Sequence, residues 1–204
     1  MPVAYSLPFH VFRALRRARF GILTVALTYV LSVAVGFAMA NSGNRFALHH
    51  RDKLVSHALA TSPILRALHS GRPGLAAALD CGANLLAAAA STLTGYWAPA
   101  VYPIALYRGW VGGIVGVDGH HRSRLADSSE RTYYLLTLLL QLLPYSLAGG
   151  VGVNLGLARV RPLGDYAGPR LFGLPTEALR DAGRIYLLVA PLFAVASAFE
   201  FLAH

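Results

Sequence analysis

Residues 20–40 read FGILTVALTYVLSVAVGFAMA, and this stretch decides the class of fold because it contains no charged side chain. A helix of about 20 apolar residues is long enough to cross the hydrocarbon core of a bilayer. Of the 204 residues in the chain, 55% are hydrophobic and only 13% are charged, whereas soluble domains carry about 25% charged residues. The sequence therefore predicts an all-α, polytopic transmembrane bundle and argues against a soluble domain.

Further apolar runs divide the rest of the chain, which we treat as a single membrane domain, 1–204. The predicted spans lie near 20–40, 75–97, 98–117, 132–158 and 185–201, and the predicted extramembrane segments are 41–74, 118–131 and 159–184. The second and third spans are expected to form a tight helical hairpin. The run 132–158 is longer than one span needs, so it is either one tilted helix or two half-helices.

The segment before the first span, residues 8–19, has the pattern of a basic amphipathic helix that lies on a membrane surface. Phe9 and Phe12 fall on one side, and four arginines fall largely on the other: Arg13, Arg16, Arg17 and Arg19. Residues 38–40 resemble a signal-peptidase site, but the preceding apolar run exceeds the usual 7–15 residues. We therefore expect a retained signal anchor with a cytoplasmic N-terminus.

The sidedness of the later segments stays open, because basic residues also follow the first span: Arg45, Arg51, Lys53, Arg66 and Arg72. A five-span chain places 41–74 and 118–131 on the same, outer side. Two short helices are expected outside the spans. One begins at Pro63 with Ser62 as its cap, and the other opens at 175–177 as an interfacial helix.

The net charge of +9 and the pI near 10.2 would suggest nucleic acid as the partner of a soluble chain. Here the basic residues lie between apolar runs, and no basic stretch is interleaved with aromatic residues. We therefore expect contacts with anionic lipid headgroups, and either membrane protein partners or self-association. Nucleic acid is excluded as a partner.

Four polar residues within or near the apolar runs are the candidate functional positions, because charges in a membrane span pair with each other or line a polar path. They are Asp80, Asn84, Arg108 and Glu200. A direct pair between Asp80 and Arg108 requires Asp80 to lie deep in its span. The alternative has Asp80 at the interface, with Arg108 reaching towards headgroups or facing a carbonyl. Glu200 is expected at the interface.

Small residues at helical spacing are candidates for close helix packing, and we favour contacts within the protein over a subunit interface. These are Gly95, Gly109, Gly112, Gly113, Gly116, Gly152 and Gly156. Pro144 with Gly149 and Gly150 could permit the unwound backbone that transporters use at binding sites.

The remaining chemistry-bearing residues give weak signals. Two loop pairs, His49 with His50 and His120 with His121, could bind zinc together with Asp52 or Asp118, but zinc sites show tighter and repeated ligand spacing. Whether they bind a metal stays open. The sequence contains no zinc-protease, nucleophile-elbow or phosphate-loop motif. We therefore predict no enzyme, no catalytic residue and no cofactor.

The order of motifs over roughly residues 80–202 resembles the stage II sporulation protein M family of prokaryotic membrane proteins. Asn84 is followed eleven residues later by Gly95, as in that family, and the glycine-rich segment 107–116 is similar except that Arg108 replaces an asparagine. The segment 143–149 keeps the Leu-Pro of the family's Leu-Pro-His-Gly motif but lacks the histidine, the following glycine and the glutamate. The last helix ends in an apolar run with Glu200, as in the family.

This resemblance implies a multi-span cytoplasmic-membrane protein without known catalytic chemistry. In spore formers the family works with cell-wall hydrolases, and elsewhere its members serve envelope or transport-like complexes. Lys53 is the only lysine in an arginine-rich chain, which is typical of a high-GC genome, so sporulation itself is not carried over.

The leading hypothesis from the sequence is a noncatalytic integral membrane subunit that packs with partners in a cell-envelope or membrane complex. The alternative is a permease or channel component of a small-solute transport system. Polar positions accessible from water would favour the second hypothesis.

Overall fold

A computed structural model of the protein describes residues 7–160, 166 and 168–202, and these are almost entirely helical. The helices are α1 (Leu7–Asn41), α2 (Arg45–Thr61), α3 (Pro63–His69), α4 (Pro73–Thr94), α5 (Val101–Ile114), α6 (Ser128–Val160) and α7 (Thr176–Leu202), with a 3-10 turn at Ala98–Ala100 before α5. Two short antiparallel strands, β1 (Arg170–Leu171) and β2 (Leu174–Pro175), precede α7. In the described residues, α1, α4, α6 and α7 are long and apolar enough to cross a membrane.

The first helix joins two segments that the sequence analysis separated. The predicted amphipathic helix 8–19 and the predicted span 20–40 form one helix of 35 residues, and no proline interrupts it. Along the span, Leu23, Leu27 and Leu31 are 66%, 58% and 57% exposed. An apolar face of this size outside the core is typical of a surface that meets lipid.

The directions of the helices follow from their contacts. Along α1 and α5 the contact positions rise together, from Tyr29 beside Gly109 to Val33 beside Gly113, so these two helices run parallel. Helices α4 and α6 also run parallel to each other and opposite to α1, α5 and α7. The chain therefore returns between α4 and α6 through α5, which has 14 residues and is about 21 Å long.

The second and third predicted spans correspond to α4 and α5, and they do not pack against each other as the predicted tight hairpin requires. Helix α5 runs antiparallel to α4 but packs along α1 and touches α4 only slightly. The reason lies in Gly109 and Gly113, whose faces fit the backbone of α1 so closely that a side chain at either position would overlap it. A gap therefore remains between α4 and α5.

Helix α6 settles the alternative left open for residues 132–158, since it continues unbroken from Ser128 to Val160 with Pro144 inside it. The alternative of two half-helices is therefore wrong. Gly149 and Gly150 are buried against α1, where Val25 and Ile22 contact them, and their small size allows close packing. The expected separate interfacial helix at 175–177 is wrong as well, because Thr176 begins the continuous helix α7.

The segment between α1 and α4 is helical, which the sequence analysis predicted only for its second part. Ser62 caps α3 by accepting a hydrogen bond from the Leu65 amide at 3.4 Å, as predicted. Asp52 on α2 contacts His121 at 2.9 Å, so segments 41–74 and 118–131 meet at the end of the bundle that contains Asn41 (the Asn41 end). Of the predicted segment 159–184, residues 161–165 and 167 lie outside the described residues.

Candidate functional site

The predicted polar positions on α4 belong to a hydrogen-bonded chain inside the bundle. Asn84 donates its amide to Asp80 Oδ2 at 2.9 Å, and Ser197 on α7 donates its hydroxyl to the same oxygen at 2.7 Å. On the other side, Tyr145 on α6 donates its hydroxyl to Asn84 Oδ1 at 2.6 Å. Asp80 is therefore held by two helices besides its own.

Arg108 reaches this chain through an aromatic ring. Its guanidinium carbon lies 4.2 Å from the ring centre of Tyr145, within the range of a cation–π interaction. Among the described residues no ion pair joins Asp80 to Arg108, so the direct pair considered from the sequence is replaced by the intermediates Asn84 and Tyr145. Asp80 does not reach Arg108 because it lies one helical turn further along α4, towards the Asn41 end, than Asn84.

The depth of Arg108 follows from its neighbours on α1. Gly109 lies against Tyr29, and Ser32 donates a hydrogen bond to the Leu106 carbonyl. These α1 residues are in the middle of the apolar run 20–40, about 15 Å from either edge. Arg108 is therefore level with the middle of this apolar run, and its guanidinium lies over Tyr145 beside the cavity.

A cavity of about 680 Å³ opens beside Arg108. Helices α1, α4, α5 and α6 form it, Leu54 of α2 closes part of it towards the Asn41 end, and most of its surface is apolar. Pro103 and Tyr107 line it and are themselves exposed, so it opens on the side of the bundle where α4 and α5 separate. Ligand pockets occupy about 300–1,000 Å³ and combine apolar walls with few polar groups.

The charge inside this cavity has one source. Arg108 is the one residue with a formal charge among the described residues that line it, and the other polar groups there come from Asn84, Gln141 and Tyr145 together with two tyrosines of α1 and α5. No ion pair of Arg108 occurs in the described part of the chain. The stacked guanidinium therefore places one positive charge in the wall of the cavity.

Gln141, Tyr145 and Ser197 were missed by the sequence analysis. Gln141 donates to Glu200 Oε2 at 3.4 Å, and its own Oε1 is buried without a hydrogen-bond partner. Glu200 is accordingly half-buried between α6 and α7, where the sequence placed it at the interface. A lone glutamine in the leucine-rich run 135–143 was the available signal for this contact.

The glycines act in packing within the chain, as the sequence analysis favoured. Gly95 contacts the backbones of Gly152 and Gly156, which joins α4 and the following turn to α6, and Gly116 fits beside Phe37 and Tyr134. Gly112 is different. A β-carbon there would meet only Leu138 at 3.3 Å and Val33 at 3.8 Å, and Gly112 lines the cavity.

A second charged cluster lies at the opposite end of the bundle, which contains Arg17 (the Arg17 end). The Arg17 side chain, predicted to lie on the membrane surface, is only 7% exposed and places Nε 2.7 Å from Asp181 Oδ2. Arg184 lies 2.8 Å from Asp181 and 2.7 Å from Glu177. Tyr166 donates its hydroxyl to Asp181. This cluster joins α1 to α7 and is separate from the cavity.

The two histidine pairs contact different residues and do not come together in one site. His121, whose backbone φ is 60°, contacts Asp52, while His50 packs on Trp110 with ring centres 5.0 Å apart. The guanidinium of Arg51 hydrogen-bonds Asp52 and holds the pKa of that carboxyl below its usual range. Within residues 7–160, 166 and 168–202, no three His, Cys, Asp or Glu side chains form a group that could hold a metal ion.

The fold and the cavity define the protein as an all-α protein with apolar helices of membrane-spanning length. No family model, curated protein or solved structure matches the chain.

Proposed function

We propose that the chain is a noncatalytic membrane protein that binds a small solute in the cavity beside Arg108, as a permease or channel component. The observation that carries this proposal is a guanidinium in the middle of the apolar layer that faces a cavity and has no ion pair in the described residues. Ionisable residues in such positions mark substrate or ion pathways. The chain of Asp80, Asn84, Tyr145 and Ser197 orients this site from three helices.

The proposed topology has five crossings. Four long apolar helices support it, and α5 supplies the fifth, because α4 and α6 run in the same direction and the chain must return between them. A cytoplasmic N-terminus in a prokaryotic inner membrane remains part of the proposal, supported by the arginines that precede residue 20. The resemblance to the stage II sporulation protein M family is likewise kept as a hypothesis.

A second candidate is the membrane subunit that packs with partner proteins. The observation that favours it is the gap between α4 and α5, because a helix of another protein could fill the open side of the cavity. The glycines support this candidate less than the sequence suggested, since their small faces are occupied inside the chain.

The two candidates differ in whether water reaches the cavity. In a Cys81→Ala background, single cysteines would replace Ile104 and Leu142, which line the cavity, or the exposed residues Leu106 and Leu139 as controls. In intact vesicles, a small anionic methanethiosulfonate should label the first two positions and spare the controls. Protection of the two lining positions, or equal labelling of all four, would contradict the permease proposal.

A further inference from the structure

The cavity beside Arg108 also carries information about the class of its ligand. The inference below rests on the proposed function, because it needs a cavity that is accessible in the membrane. It adds the chemistry of the ligand, which follows from the wall, the charge, the volume and the opening of the cavity.

The wall is apolar over most of its area, with side chains such as Val33, Ile104 and Leu142 facing the space. A fully hydrophilic solute would lose its hydration there without replacement hydrogen bonds, at a cost of a few kcal/mol for each polar group. An alkyl chain has no such cost. The wall therefore favours a ligand that is apolar over most of its length.

The positive charge of Arg108 determines which head group the ligand can have. The guanidinium of Arg108 lies over the face of Tyr145, and no carboxylate of the described residues forms an ion pair with it. A guanidinium presents its donors as a fork that matches a carboxylate through two parallel hydrogen bonds. The single charge of Arg108 balances one negative charge, whereas a phosphate monoester would leave excess negative charge in the apolar layer.

The volume of the cavity fits a ligand with one alkyl chain. At about 30 Å³ for each water-sized group, the 680 Å³ of the cavity holds roughly twenty such groups. This is enough for one long alkyl chain with its head. The exposed Pro103 and Tyr107 at the side opening provide access for a molecule dissolved in the lipid layer.

We propose that the cavity binds a long-chain carboxylate, with its head on Arg108 and its alkyl chain along the apolar walls between α1, α5 and α6.

The direct test is equilibrium binding of radiolabelled palmitate to the full-length protein in nanodiscs of zwitterionic lipid. Palmitate should bind saturably at one molecule per chain, and hexadecanol and hexadecyl phosphate should compete more weakly. Arg108→Gln should weaken palmitate binding by about ten- to a hundredfold, the worth of a charge-assisted hydrogen bond, and should weaken hexadecanol binding much less. Arg108→Lys should retain part of the affinity.

A second pair of variants tests the place of binding. Gly112→Leu fills the cavity, since the new side chain meets open space beyond Leu138, and should abolish palmitate binding. The control Leu106→Phe adds volume on the exposed face of the same helix and should bind as the original chain does. If Gly112→Leu does not fold, Ile104→Trp fills the same space and replaces it.

Palmitate binding that is not saturable, that survives Arg108→Gln, or that is exceeded by hexadecyl phosphate would overturn the inference. If palmitate fails while cysteines in the cavity are labelled from water, the ligand class is wrong and the permease proposal stands. If both experiments fail, the proposed function fails too.

Discussion

The ion cluster at the Arg17 end gives the sharpest stability prediction. Asp181 is 1% exposed and Arg17 is 7% exposed, and Arg17, Arg184 and Tyr166 all donate to the same carboxylate at 2.7, 2.8 and 3.2 Å. Asp181→Asn keeps the shape but leaves the guanidinium groups of Arg17 and Arg184 with only the carboxylate of Glu177, which also pairs with the exposed Arg180. Breaking a buried ion pair on one side costs about 3–5 kcal/mol. We expect a loss of about 3 kcal/mol, the lower value, because Glu177 is 30% exposed and water screens part of the charge.

The free energy of unfolding can be measured by titrating the protein from mild micelles into denaturing detergent. The double variant Arg17→Leu with Asp181→Asn should recover most of the loss, because it leaves Arg184 and Glu177 as a balanced pair at 2.7 Å. The matched control is Arg180→Ala, whose side chain is 70% exposed and 3.5 Å from Glu177; it should cost less than about 1 kcal/mol. The reasoning is refuted if Asp181→Asn costs as little as the control, or if the double variant is no more stable than the single one.

Two further predictions concern α4 and α2. Gly95→Val should lower the free energy of unfolding by about 3 kcal/mol, because its β-carbon would overlap the backbone of Gly152. The control Gly82→Ala, where a β-carbon would have nothing within 4 Å, should raise the free energy of unfolding by about 0.5–1 kcal/mol. Similar melting temperatures for the two variants would contradict this. Asp52 has a lowered pKa when folded, so its contribution to stability is complete above the ordinary carboxyl pKa and is lost as the pH falls through the lowered value. Arg51→Gln should raise that pKa, and ¹³C NMR of labelled carboxyl groups would show whether it does.

The apolar runs were predictable because the length of a run and the absence of charge are local properties of the sequence. The ends of the helices were harder. The boundary drawn before Phe20 rested on a change of polarity, but Arg17, on the polar side of that boundary, is buried against Asp181, which is 164 positions away. Local patterning contains no information about such a partner.

The sequence predicted only part of the candidate site, because local patterning identifies polar residues but not their distant partners. Asp80, Asn84 and Arg108 were identifiable as polar residues in apolar runs, and the structure connects them. Their connection through Tyr145 depends on how α4 and α5 pack on α6, and the packing of α5 depends on the fit of Gly109 to Tyr29 of α1. Small residues show that a close contact exists, but they do not specify its partner.

The free-energy balance at Arg108 separates a role in the fold from a role in binding. Placing a charge at the centre of an apolar layer costs several kcal/mol, whereas a cation–π interaction such as that with Tyr145 returns about 2 kcal/mol at most. Asp80 cannot cover the difference directly, because Asn84 and Tyr145 lie between the two charges. On this balance Arg108 lowers the stability of the empty protein, and an anion beside its guanidinium would reduce that loss. This balance supports the proposed role of Arg108 in ligand binding, whereas Gly109 and Gly113 pack on α1.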